Sequence, residues 1–138
     1  MMDECERLAE VQQVIDELAN RALNGATILV EGKRDREALD LLGIKGEIIM
    51  TSQKPLFNLC EELARSSGDV IILTDWDERG EEVARQVRTF LEADGVRPDT
   101  TIRATIIPLV RKEIKDVENL HKYMERLKKV CASKPQHY

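Results

Sequence analysis

Apolar residues in the first stretch of the chain fall at Leu8, Val11, Ile15, Leu18 and Ala22. Steps of three and four draw one stripe down a helix, which the pattern places from Asp3 to Leu23, with Gly25 ending it. Residues 26–30 are a short, β-branched apolar run, too brief for a helix and stopped by Glu31 and Gly32, as a buried strand would be. The alternation then repeats. A helix is expected over Arg34–Leu42, closed by Gly43, then a strand over 47–50 and a turn at 51–55. A helix follows to about Ser66, with Leu56, Leu59, Cys60 and Leu63 inward. A third strand covers 70–74, and the helix after it runs to Ala93 with Val83, Val87, Phe90 and Leu91 on one side and Gly95 beyond its end. A fourth strand is read over 101–107. Val117, Leu120, Met124, Leu127 and Cys131 give a last helix its stripe, and 133–138 reads as a frayed tail.

Strands alternating with helices at this spacing imply βαβ units with right-handed crossovers. The fold class is therefore α/β, with a four-stranded, mainly parallel sheet flanked by helices on both faces. The 138 residues suit a single core. Three parts are expected: an N-terminal helix over 1–25 packed on the domain, the α/β body over 26–118, and a basic helix and tail over 119–138. The N-terminal stripe is too short for a convincing coiled coil; it is read as covering the sheet, with a homodimer seam as the minority reading.

Composition narrows the partners. Aromatics are only 4%, so the core must be aliphatic. No apolar run reaches the ~20 residues of a membrane span and the N-terminus is acidic, so a cytoplasmic protein without membrane attachment is expected. Cys5, Cys60 and Cys131 form no CxxC pair and are read as reduced, two of them on helix core faces. The net charge of −5 is unevenly spread: residues 1–96 carry 11 basic and 21 acidic groups, residues 97–138 carry 10 and 5. An acidic body with a basic C-terminal element remains compatible with a phosphate-bearing partner.

In an open parallel sheet the ligand site lies at the carboxyl ends of the strands. Strand one ends at Glu31, and strand three at Asp75 with Asp77 two residues on. If those strands are neighbours, as in a 2-1-3-4 order, three carboxylates converge. Such a group favours a hard divalent cation; Mg²⁺ suits phosphate chemistry, with Mn²⁺ as a substitute. Against this, Asp77 alone reads equally well as the N-cap of the following helix. Glu31 is harder to explain as structure, since it directly follows apolar strand residues.

The run from Ile28 through Glu31, Gly32 and Lys33 to Asp35, with Ile71 through Asp75 and Asp77 to Gly80 about forty residues later, resembles the Toprim domain. That domain is shared by topoisomerases, bacterial-type primases, 5S ribosomal RNA maturases and old-family nucleases. The resemblance spans about 26–118 and is nearest to small stand-alone Toprim proteins of archaea and bacteria. It implies a Rossmann-like Toprim fold in which Glu31 is general acid or base, Glu31, Asp75 and Asp77 form the metal set, and Gly32 and Gly80 permit close backbone approach. Glu31, Lys33 and Arg79 are the catalytic candidates. One departure is visible: type IA topoisomerases carry Asp-x-Asp-Arg-Glu-Gly, whereas Asp77 is here followed by Glu78, Arg79 and Gly80, so Arg79 stands in place of a third acid. The chain also has no room for strand passage, so topoisomerase and complete primase activity are not expected.

Basic groups follow each strand: Lys33 and Arg34, then Lys54, then Arg79, then Arg111, Lys112 and Lys115. They are the candidate contacts to a nucleic-acid phosphate backbone. Asp116 is a candidate aid to the metal, though helix-start preference explains it more simply. The residues around Lys33 lack the glycine and Ser/Thr of a phosphate-binding P-loop, and neither His121 nor His137 supports a metal site or triad. Trp76 is read as packing on the sheet edge. The leading functional expectation is Mg²⁺-dependent phosphodiester chemistry on RNA or DNA, as a small nuclease. The alternative is a non-catalytic metal-binding module that binds nucleic acid or joins a ribonucleoprotein or repair complex.

Overall fold

The computed structural model describes residues 2–133; the tail over 134–138, read above as frayed together with Ser133, lies outside the described residues. Helix α1 (Glu4–Leu23) is capped by the Asp3 carboxylate, which accepts the Glu6 N–H at 2.8 Å. Strand β1 (Thr27–Val30), helix α2 (Lys33–Leu41) and strand β2 (Glu47–Met50) follow, then a 3-10 turn at Thr51–Gln53 and helix α3 (Leu56–Ser66). Strand β3 (Val70–Ile72) leads to α4 (Glu78–Ala93), α5 (Thr101–Val110) and α6 (Leu120–Ser133).

The three strands are parallel in the order β2-β1-β3, with Ile28 beside Ile48 on one side and Ile71 on the other. Alternation sorts β1 and β3 between two cores. Ile28, Val30 and Ile71 face α1, α5 and α6, while Leu29, Val70 and Ile72 face α3 and α4. Both faces are thus covered, and the free ends of β1 and β3 emerge side by side.

Two expectations are corrected. The sheet has three strands among the described residues, and 101–107 lies in helix α5. Its β-branched residues suggested a strand, yet Ile102, Ile106 and Val110 are buried at steps of four, the spacing of a helix face. Asp99 opens the helix, its carboxylate accepting the Thr101 N–H at 2.7 Å and the Thr101 hydroxyl at 2.6 Å. What remains of a fourth strand is one bridge: Asp99 donates its N–H to Val70 O and accepts that of Ile72. The second correction concerns the cysteines. Cys5 and Cys131 form a disulfide between α1 and α6, with Cα atoms 5.2 Å apart. The two helices pack together, which brings cysteines 126 positions apart within bonding reach. Cys60 is free and buried, its thiol pushed up to about 11 by burial.

Candidate metal centre at the strand ends

Glu31 leaves β1 with only 14% of its side chain exposed, and it ties the three strand ends together. Its Oε2 accepts the Asp75 N–H at 2.8 Å, and its main-chain oxygen accepts the Ser52 N–H at 3.2 Å. Asp75 lies just beyond β3, and its Oδ1 accepts the Val117 N–H at 3.0 Å. The loop before α6 is fastened onto the same place by Trp76, whose main-chain N–H bonds Lys115 O and whose indole N–H bonds Ile114 O at 2.7 Å. Trp76 is buried in the core, which leaves its ring no face for a base.

A carboxylate absent from the sequence-derived set is buried nearby and acts on both Glu31 and Asp75 through its charge. Asp35, in the first turn of α2, is 6% exposed and accepts the Gly32 N–H at 3.1 Å. Burial holds its carboxyl above the ordinary range, and the charges of Glu31 and Asp116 push the same way. Asp75 is displaced further, up to about 7, first by burial and then by Asp35 and Glu31, with the Val117 N–H opposing. Among the described residues Glu31 makes one ion-pair contact, to Arg79, whose Nε stands 4.0 Å away while its side chain is 84% exposed.

The donor set is oxygen only, anionic and partly desolvated, which suits Mg²⁺. This ion keeps several waters and takes one or two protein carboxylates. Among the described residues no three acidic, histidine or cysteine side chains converge into a ready-made cage. The residues therefore fit an ion bound by one or two carboxylates, with Glu31 and Asp75 as holders. When bound, Mg²⁺ would neutralise charge on a phosphate and orient it.

The other candidates are spread more widely. Asp77 is exposed and caps α4, its Oδ1 accepting the Gly80 N–H at 2.7 Å. A Cβ at Gly80 would stand 1.9 Å from Asp75 O, so α4 can approach the strand end only through a glycine; a Cβ at Gly32 would meet nothing within 4 Å. Arg34 turns to Glu118 at 3.3 Å and Lys54 to Glu62 at 2.7 Å. Lys33 lines a groove with Arg36, Asp40 and Lys45 and has no ion-pair contact to the strand-end acids. Arg111, Lys112 and Lys115 are exposed on the segment that joins α5 to α6.

Arg103 is the second residue that sequence reading missed. It is 8% exposed; Nε donates to Thr74 O at 2.8 Å, and Nη2 donates to Asp75 O at 2.6 Å and to Glu81 at 2.9 Å. Together with the buried Thr74 hydroxyl, which donates to Gly80 O at 2.9 Å, it fixes the main chain that carries Asp75. No local motif announces this role. The only sequence signal was a lone arginine within an apolar run.

A parallel sheet in the order 2-1-3, helices on both faces and acids at the adjoining ends of β1 and β3 define a Rossmann-like α/β protein with an acidic centre at its strand ends. The Toprim domain family matches residues 26–109, and the chain belongs to that family. UPF0292 proteins are similar along most of its length. That of Methanosarcina barkeri is 39% identical over 122 residues, covering 88% of this chain and 85% of the relative. That of Thermococcus onnurineus is 40% identical over 130 residues, covering 94% and 93%. A solved structure of a protein from Aquifex aeolicus is similar with a TM-score of 0.67 and 30% identity, covering 78% of this chain and 95% of that one. The protein is thus a small Toprim-domain protein with archaeal homologues. Toprim domains generally bind Mg²⁺ and are associated with nucleic acid. Among the described residues no helix is long and apolar enough to cross a membrane.

Proposed function

We propose that the protein is a Mg²⁺-dependent nuclease that cleaves phosphodiester bonds in RNA or DNA. The observation that carries this reading is the packing of acids at adjoining strand ends: Glu31 accepts the Asp75 N–H at 2.8 Å and Asp35 is buried beside them, which raises the Asp75 carboxyl. Like charges this close resist joint ionisation, and a divalent cation relieves that cost while recruiting phosphate. In this reading Asp75 and Glu31 hold Mg²⁺, for which Mn²⁺ substitutes, and Asp77, at the start of α4, reaches the ion through its water shell. Glu31 also transfers the proton at the reacting oxygen. Arg79, exposed and close to Glu31, meets the phosphate, and Lys33 is assigned to the same strand through its groove beside α2. Lys54, Arg34, Arg111, Lys112 and Lys115 contribute contacts to the backbone that weaken with salt.

A second reading has its own support. Asp77 serves as a helix cap and Arg79 stands where a third acid would be, which favours a metal-binding module that engages nucleic acid, or a complex containing it, without turnover. The two part in one experiment: end-labelled single-stranded and structured RNA and DNA are incubated with Mg²⁺, Mn²⁺ or EDTA, using wild type, Glu31→Gln and Asp75→Asn. The nuclease reading expects metal-dependent cleavage reduced at least ~100-fold in both variants, the scale of losing acid–base assistance. Intact substrates under every condition, from folded protein that binds Mg²⁺, decide for the module.

A further inference from the structure

We propose that the cleft between the 113–119 segment and α6 binds the sugar–phosphate backbone of a single nucleic-acid strand leaving the metal centre, with Lys115, Lys122 and Arg126 as its cationic wall and Tyr123 as its floor. The inference rests on the reading of the strand ends as a nucleic-acid site and extends it to residues that no motif marks.

The cleft has a volume of about 410 Å³ and is lined by Lys115, Asp116, Asn119, Lys122, Tyr123 and Arg126 among others. It begins where the metal centre ends. Asp116 acts electrostatically on Asp35, the Val117 N–H bonds Asp75, and Lys115 O bonds the Trp76 N–H, so one loop is both the lip of the centre and the wall of the cleft. Lys115 and Lys122 are exposed and have no ion-pair partner among the described residues. On α6, Lys122, Arg126 and Lys129 recur at steps of four and three, which places them along one side of the helix. Exposed cations with no protein partner keep their charge available to a polyanion, and Lys115 and Lys122 stand next to the strand ends where one would be bound.

The second observation is a buried donor with nothing to bond. Tyr123 is 4% exposed and its hydroxyl has no hydrogen-bond partner among the described residues, an arrangement that costs stability. Its ring lies beneath Arg126, with the guanidinium carbon 5.1 Å from the ring centroid, and Arg126 is held there by Glu113 at 3.3 Å. An entering phosphate exchanges Glu113 for its own oxygens on Arg126, and the shift of that guanidinium off the ring opens the buried Tyr123 hydroxyl to an acceptor. Phosphodiester chemistry is common to RNA and DNA, and the probes separate them.

The test is fluorescence anisotropy of the full chain in EDTA with fluorescein-labelled single-stranded RNA and DNA 12-mers over a range of salt. Lys122→Ala/Arg126→Ala is expected to weaken binding at least 10-fold and to lower the slope of log affinity against log salt by about 1.4. Tyr123→Phe is expected to weaken it about fivefold without lowering the melting temperature, and Glu113→Gln to tighten it two- to fivefold. Arg85→Ala/Arg88→Ala, on α4, is the control and is expected to bind as wild type. Tighter binding of the RNA probe assigns the cleft to RNA, and tighter binding of the DNA probe assigns it to DNA. No measurable binding of either probe by wild type, wild-type affinity in the α6 double variant or in Tyr123→Phe, or equal weakening by the α4 control overturns the proposal. Binding that depends on the cleft, without cleavage in Mg²⁺, would retain it while the nuclease reading fails.

Discussion

Asp75 is the most strongly displaced carboxyl among the described residues. Its folded value of about 7 lies above the ordinary 3.8, because burial and then Asp35 penalise the charged form. Between about pH 4 and pH 7 the folded protein retains a proton that the unfolded chain releases. Stability in the absence of metal therefore falls as pH rises through that window. We expect Asp75→Asn to flatten this slope and to raise the melting temperature in EDTA at pH 8 by at least ~3 °C, measured by calorimetry against wild type from pH 4 to pH 8. Glu31 and Asp75 were legible in the sequence because each follows an apolar strand directly. Asp35 was not, since an acid in a first helical turn is ordinary, and only the fold reveals that this one is buried against two others.

Among the elements, α5 shows where local pattern and tertiary structure part. Thr101, Ile102, Thr105, Ile106 and Ile107 are strand-forming residues by composition, and Pro108 does not argue for a helix. The decisive signals were the Asp99 carboxylate bonded to Thr101 at the helix start and the step of four through Ile102, Ile106 and Val110, which a window centred on β-branched residues passes over. β1, β2, β3 and the helices between them were legible because hydrophobic period and glycine stops agreed there. The misreading also hid Arg103, which reaches Asp75 only because α5 is a helix packed beside β3. Arg103→Lys keeps the charge and loses the planar fork that joins Thr74, Asp75 and Glu81. We expect it to lower unfolding free energy by about 2 kcal/mol in a urea titration, the scale of charged hydrogen bonds left unmade. Metal-dependent activity should fall with it, since Asp75 then loses its fixed main chain.

For the whole molecule, α1 and α6 are part of the same core rather than attachments to it. Val11, Ile15 and Leu18 pack with Leu120, Met124 and Leu127 against the sheet. The Cys5–Cys131 bond fixes that packing covalently, a pairing no spacing rule discloses, because the partners are 126 positions apart. At the opposite end of the strands Arg21 joins Asp69 and Asp99, each at 2.6 Å, and so ties α1 to the loops that precede β3 and α5. A cross-link closing so long a loop removes much of the freedom of the unfolded chain. Reduction, or Cys5→Ser, is expected to lower stability by about 4 kcal/mol, read as a shift of the urea midpoint with and without dithiothreitol.

Covalently, residues 5–131 form a ring. A protease that cuts once within the exposed segment at Arg111–Glu113 leaves a single molecule whose two pieces separate only under reducing conditions. The lip of the candidate metal centre lies just beyond that segment, so it would remain attached to both halves of the fold after the main chain had been severed.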